Sequence, residues 1–272
     1  MDHSNNKLHG TACLNGLVSV VTAVHNEQRY VERVVESVAR QTVGVLEHIL
    51  VDDGSTDATP RLLQRLRKRH QHLVVISQAK AGAAAARNRG IAAARGRYIA
   101  FLDADDTWSP HKIEEQVRYM ESHQHTFTFG DYVEVDHHSL AKQKRYNMPD
   151  SVGHAQLLRG CPIGCLTVAY NQQKLGKRYM PLVRSGHDWG LWLDMTRGGL
   201  RAHKYPGLHA SYSNGHASLS SKKIRKAVNI YRIYRHGERL SRFGAMMRTA
   251  EHTVISFAKR ARLIYASRRE GR

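Results

Sequence analysis

The chain has 272 residues, with 42 Lys/Arg against 23 Asp/Glu for a formal net charge of +19, and 41% of its residues are hydrophobic. That apolar share suits a folded soluble domain and excludes the composition of a disordered one. No run approaches the roughly 18 uninterrupted apolar residues needed to span a bilayer, and the polar start MDHSNNKLHG lacks the build of a signal peptide.

The first 130 residues alternate between strand and helix patterns. Leu17–Val24 is apolar and β-branched, a buried strand, and Val31, Val34, Val35 and Val38 then repeat with the spacing of one helix face. Leu46–Val51 is the next strand, running into Asp52-Asp53-Gly54-Ser55-Thr56-Asp57. A helix follows, with Thr59 as N-cap, Pro60 at its first position, and Leu62, Leu63 and Leu66 facing inward. Leu73–Ser77 reads as a strand, the Ala-rich Gly82–Arg95 as a helix, and Tyr98–Leu102 as the fourth strand. Ser109-Pro110 again reads as a cap and first helical residue. Short links between strands and helices imply an α/β fold with a mostly parallel, Rossmann-like sheet and helices on both faces. Ligands of such sheets sit beyond the carboxyl ends of the strands.

The second half is less regular. Thr126–Gly130, Tyr132–Val135 and Ile163–Tyr170 read as short strands, His187–Arg197 as a Trp- and Leu-rich helix, and Gly207–Ser221 as a polar loop. From Lys222 to Arg272 there are 15 Lys/Arg against 3 Glu, or +12 of the total, with Val254, Phe257, Ala261 and Ile264 at helical spacing. Such a segment suits an anionic membrane face, a polyanion or nucleic acid. Three cysteines, Cys13, Cys161 and Cys165, without a secretion signal point to a reducing cytoplasm. Cys161 and Cys165 lack a second pair to complete a zinc site and are expected as buried thiols. Most of the 18 histidines are expected at the surface.

Every acidic cluster falls at a predicted strand end. Asp103, Asp105 and Asp106 follow Tyr98–Leu102 directly, and hard carboxylate oxygens on one turn suit Mg²⁺ or Mn²⁺ bound with phosphates. A helix-capping turn is the alternative. Asp53 ends the second strand, where a carboxylate can accept hydrogen bonds from a base or ribose, while Asp57 reads as turn chemistry. At the end of the first strand, the backbone at Ala23 and the ring of His25 could meet a nucleobase. The absence of G-x-G-x-x-G there argues against a dehydrogenase. Arg87 could offset phosphate charge. Asp188, beside Trp189 at a helix start, is either a general base tuned by burial or an acid favoured by the helix dipole.

Together VSVVTAVHNEQRYVERVVESVARQT, ILVDDGSTD, GAAAARNRGIAAARGRYIAFLDADD, GHDWGLWLDMTRGG and SYSNGHASLSSKK resemble an inverting glycosyltransferase of family 2 with the GT-A fold. The likeness runs from about Val18 to Ser221, and CPIGCLTVAYNQQKLGKRYMP with the two later segments resembles the bacterial cell-surface polysaccharide subgroup that includes the teichuronic acid enzymes. The resemblance implies that Ala23, Val24, His25, Glu27 and Asp53 hold the base and ribose, and that Arg87 also contacts the donor. Asp103 would reach the ribose beside Ala104, and Asp105 the divalent metal, Mn²⁺ or Mg²⁺, that bridges the diphosphate. Asp188 would be the base. The family's Pro-x-Tyr-Asn stands here as Ala23-Val24-His25-Asn26, its Glu-Asp as His187-Asp188, and its Tyr-Arg as Tyr212-Ser213, with His216 expected as a substitute diphosphate contact.

The implied partition is a polar tail over 1–16, a catalytic domain over 17–221 and a basic helical C-terminal extension over 222–272. Within the catalytic domain, 17–130 would bind the nucleotide sugar, with a UDP-sugar expected from the resemblance, and 131–221 the acceptor. The acceptor is expected to be a glycan or a polyprenyl-diphosphate-linked sugar, and the location cytoplasmic, peripheral on the inner membrane face. A nucleotidyltransferase would carry a Gly-rich basic loop where this chain has HNEQRY, and a nucleic-acid-binding protein, suggested by a pI near 10.2, would leave the acidic strand ends unexplained.

Overall fold

The computed structural model describes residues 14–136, 141–214 and 223–254. These fall into two compact units. The first takes the described residues within Met1–Ser151, Ile163–Met180 and Ala202–His216, and the second those within Val152–Pro162, Pro181–Arg201 and Ala217–Arg272.

In the first unit the chain runs β1 (Val18–Val24), α1 (Val31–Ala39), β2 (Glu47–Asp53), α2 (Thr59–Arg69), β3 (Leu73–Gln78), α3 (Ala83–Ala93) and β4 (Tyr98–Phe101). After these come β5 (Thr107–Trp108), α4 (Lys112–Ser122), β6 (Phe127–Asp136), β7 (Lys142–Tyr146) and β8 (Ser151–Val152). Later in the chain lie β9 (Ala169–Asn171), α6 (Gln172–Leu175) and β10 (Ala202–Asn214), with α5 (His154–Leu157) and α7 (His187–Thr196) in the second unit. The main path through the sheet is β3-β2-β1-β4-β9-β6-β10-β5. β1, β2, β3 and β4 are mutually parallel, so their carboxyl ends share one edge. β9 runs antiparallel to both β4 and β6, which returns β6, and β10 beside it, to the common direction.

Successive strand residues point to opposite faces. Val18 and Val20 pack with Val34 and Val38 of α1 and with Ile113, Val117 and Met120 of α4. Val24 shares that face with Val31, Val35, Leu63 and Leu66. Val21 points the other way, against Gly90 of α3, where an added Cβ would lie 2.5 Å from Val21 Cγ1. Helices therefore cover both faces, and the apolar β-branched strands between them have the pattern of a doubly buried sheet.

Several predicted details shift. The α2 cap is Ala58, with Thr59 already helical, because Asp57 Oδ1 takes the Thr59 N–H at 2.9 Å and closes the turn one residue earlier. Ser109-Pro110 does not open α4, whose N-cap is His111. Ser109 is held instead by His209, through its own N–H to the His209 carbonyl and a hydroxyl–imidazole contact of 2.9 Å. Thr126–Gly130 and Tyr132–Val135 merge into the single strand β6. Ile163–Tyr170 is a 3-10 turn at Cys165–Thr167 before β9. Much of the predicted loop from Gly207 is strand, since β10 pairs along β6 as far as Asn214. Cys161 is exposed and Cys165 buried, while Cys13 lies outside the described residues. His48 is a core residue, bonded to Thr22 Oγ1 at 3.0 Å; burial, then His72 and His70, push its pKa down to about 3.

The second unit is helical. Trp189 of α7 donates to the Leu157 carbonyl of α5, and its ring meets Tyr234 edge-on at 5.4 Å. Tyr234 belongs to a π-helical turn, Ile233–Gly237, that continues α8 (Lys223–Arg232), and its hydroxyl donates to the Leu158 carbonyl. Glu238 binds His154 at 2.9 Å and Arg197 at 3.0 Å. A last helix, α9, occupies 242–254. Phe257, Ala261 and Ile264 of the predicted periodic segment lie outside the described residues.

Gly90→Ala tests the α3–sheet contact. Alanine normally favours a helix over glycine by about 1 kcal/mol, but the new methyl meets a stiff valine, and overpacking costs about 1–3 kcal/mol. The variant should be less stable than wild type in urea denaturation. A gain in stability would show that α3 stands farther from β1.

Candidate functional site

The loops after β1, β2 and β4 meet at the carboxyl edge of the sheet, beside Ser213 near the end of β10. The loop after β1 is sewn to the loop after β2. Asn26 N–H donates to Ser55 Oγ at 2.9 Å, Thr56 N–H to Asn26 Oδ1 at 2.8 Å, and Glu27 N–H to Thr59 Oγ1 at 2.9 Å. Asp57 accepts from Thr59 and Gln28, which is the turn role expected of it. Gly54 turns the chain at φ +67°, and an added Cβ would lie 2.9 Å from the Lys80 nitrogen. Glycine is needed there on both counts.

Asp53 is buried at the end of β2, and three donors converge on it: Gln78 Nε2 (2.8 Å) and Ala81 N–H (2.7 Å) on Oδ1, and Gly82 N–H (2.8 Å) on Oδ2. Burial raises its pKa, but these bonds and His25 outweigh it and hold the carboxyl below its ordinary value. Asp53 thus shapes the loop that leads into α3. His25 is half-buried, and Lys80 Nζ donates to its Nε2 at 2.8 Å. An ammonium group can only donate, so Nε2 accepts. Ala23 is half-buried. The Val24 and Ala104 side chains sit in the apolar cluster with Leu50 and Leu63.

After β4 the chain makes a tight turn, with Asp106 N–H donating to the Asp103 carbonyl at 3.1 Å. Asp103 pairs with the buried guanidinium of Arg87 from α3. Asp106 is fully buried, and its Oδ1 accepts the Ser213 N–H of β10 at 2.8 Å. Burial, then Asp105 and Asp103, push the Asp106 pKa far up. Asp105 is half-buried, and its carbonyl accepts from Arg33 Nη2 at 2.7 Å. The same Arg33 nitrogen reaches Ser213 Oγ at 3.2 Å. Glu27 feels the whole cluster. Burial, then Asp105, Asp57 and Asp103, raise its pKa to about 7.

The edge therefore holds more buried acid than its two arginines offset. Among the described residues no three His, Cys, Asp or Glu side chains are arranged to hold a metal ion by themselves. Hard carboxylate oxygens such as those of Asp103 and Asp105, with the crowding on Glu27, are the kind of donor set a divalent cation takes when substrate supplies further ligands.

Asp188 belongs to the second unit. It is half-buried in the first turn of α7, where the helix dipole favours a carboxylate. His216 lies outside the described residues. Sequence reasoning missed Arg33 and Lys80. Arg33 sits in VERVVESVAR as an ordinary polar position of an amphipathic helix, and its partners lie 72 and 180 residues away. Nothing local in the sequence marks it.

The family model for glycosyl transferase family 2 matches residues 19–181. The chain is 36% identical over 225 residues to TuaG of Bacillus subtilis (strain 168), a glycosyltransferase named for teichuronic acid biosynthesis, covering 82% of this chain and 89% of the relative. It is 31% identical over 214 residues to WfaP of Escherichia coli, a UDP-Glc:alpha-D-GlcNAc-diphosphoundecaprenol beta-1,3-glucosyltransferase, covering 78% and 83%. Among solved structures, S. aureus TarS 1–349 in complex with UDP-GlcNAc superposes with a TM-score of 0.67 at 18% identity, over 89% of this chain and 72% of that one. The mannosyltransferase PcManGT of Pyrobaculum calidifontis, in complex with GDP-Man and Mn²⁺, gives 0.60 at 17%, over 93% and 79%. The fold is GT-A.

The raised Glu27 pKa carries a pH signature. The folded state prefers the neutral carboxyl, so no cost arises below the unfolded value of 4.5. The cost grows as pH rises from there through about 7 and is then constant. In chelator, Glu27→Gln should gain thermal stability over wild type across that window. Screening at this half-buried site limits the gain to about 1 kcal/mol, or about 2–4 °C. A difference that stays flat with pH would contradict the crowding.

Proposed function

The chain belongs to glycosyl transferase family 2, and from that premise we propose that it moves a sugar from a UDP-sugar to a lipid-linked acceptor, inverting the anomeric centre, in cell-surface polysaccharide assembly. The observation that carries this reading is the acidic turn Asp103–Asp106, set at the shared carboxyl edge of the sheet and flanked by Arg87 and Arg33. The names of TuaG and WfaP support the pathway class and a diphosphoundecaprenol-borne acceptor. WfaP and the UDP-GlcNAc complex of TarS support UDP as the nucleotide.

In this reading the base and ribose lie against Ala23, His25 and the end of β2, with the backbones of Val24 and Ala104 close by. Asp103, oriented by Arg87, accepts from the ribose. Asp105 holds a divalent cation, which when bound supplies Lewis-acid stabilisation of the departing diphosphate. Asp188 takes the proton of the acceptor hydroxyl. The acceptor oxygen forms a bond to the anomeric carbon as the bond to the diphosphate breaks, and the nucleoside diphosphate leaves with the electron pair. One displacement inverts the centre, so no second carboxylate nucleophile is required.

The experiment is a transfer assay with UDP-sugars and a polyprenyl-diphosphate sugar, comparing wild type with Asp188→Asn. The variant should bind donor as wild type does and lose turnover by about 10²–10⁴-fold, the usual worth of a positioned base. Wild-type turnover by the variant would remove Asp188 from the mechanism.

A further inference from the structure

Helix α9 (242–254) has two contrasting faces. On one, Ala245 and His252 are buried, and the His252 ring lies 5.0 Å from that of Trp189 within the same unit. On the other, Phe243, Met246, Met247 and Val254 are 69%, 56%, 54% and 66% exposed. At about 100° per residue these four, with exposed Ala250 among them, fall within an arc of about 100° on the side away from Ala245 and His252. A stripe of phenylalanine and methionine directed into water is unfavourable in proportion to its area and marks an interaction surface.

We infer that this face docks the enzyme on an anionic lipid bilayer, with the four side chains entering the boundary between headgroups and acyl chains. Charge complementarity selects this occupant. Arg239 and Arg242 are exposed beside the stripe without an ionic partner among the described residues. The sequence from Lys222 to Arg272 carries +12. Two copies brought face to face here would set those charges against each other, whereas anionic headgroups neutralise them. No helix of the described residues is long and apolar enough to cross a membrane. The use of this docking rests on the lipid-linked acceptor proposed above; the binding itself does not.

The test is sedimentation of the full chain with phosphatidylcholine vesicles, with and without phosphatidylglycerol, for wild type and the triple variant Phe243→Ser/Met246→Ser/Met247→Ser. Circular dichroism verifies folding, and UDP-sugar hydrolysis in vesicle-free buffer reads the proposed function separately. Wild type should bind the phosphatidylglycerol vesicles more tightly than pure phosphatidylcholine and be released by salt. The variant should lose about tenfold or more in partitioning with hydrolysis unchanged. Equal vesicle binding by variant and wild type overturns the proposal, whatever hydrolysis shows. So does self-association through this face, seen by analytical ultracentrifugation, with no vesicle binding. Hydrolysis absent from both proteins counts against the proposed function and leaves the docking surface standing.

Discussion

Carboxylates crowd where β1, β2 and β4 end together, and that repulsion is the constraint around which the first unit is built. Asp106 escapes it by full burial in the neutral form against the Ser213 N–H. Asp103 escapes it through Arg87, and Asp53 by giving its oxygens to three donors. Glu27 is left to share what remains, and its pKa settles near 7. Asp105 is half-buried at the edge, with its backbone pinned by Arg33. Such crowding costs stability, and a cation held there, as proposed above, would relieve it.

Parallel pairing explains why these groups meet. Strands that all point one way deliver their carboxyl ends to one edge, and each connection back runs through a helix on a face. Residues from Glu27 to Ser213 converge there although they are far apart in sequence. Arg33 is the tie across this distance, holding the acidic turn and β10 from α1.

That convergence was legible in the sequence for its local parts. The buried strands of a parallel sheet are continuous apolar runs, so β1 to β4 and the acids at their ends stood out, as did the valine stripe of α1. What was not legible depends on distant partners. β5 has two residues and exists because Ala210 and Ser211 pair with it. From Gly207 to Asn214, β10 reads as loop because its Gly, His, Ser and Asn content has no strand period, yet β6 supplies its ladder. Ser109-Pro110 had the chemistry of a cap, but His209 took the serine first. Arg33 and Lys80 followed the same rule: their roles come from partners brought close by the fold.

The reading proposed above has Asp105 and its neighbours bind a nucleoside diphosphate through a divalent cation. Isothermal calorimetry of UDP binding, with Mn²⁺ and with chelator, tests it on wild type and Asp105→Ala. Mn²⁺ should raise wild-type affinity by about tenfold or more, about 1.4 kcal/mol at least, and the variant should lose this gain while remaining folded. Equal Mn²⁺-dependent affinity in the two proteins would contradict it.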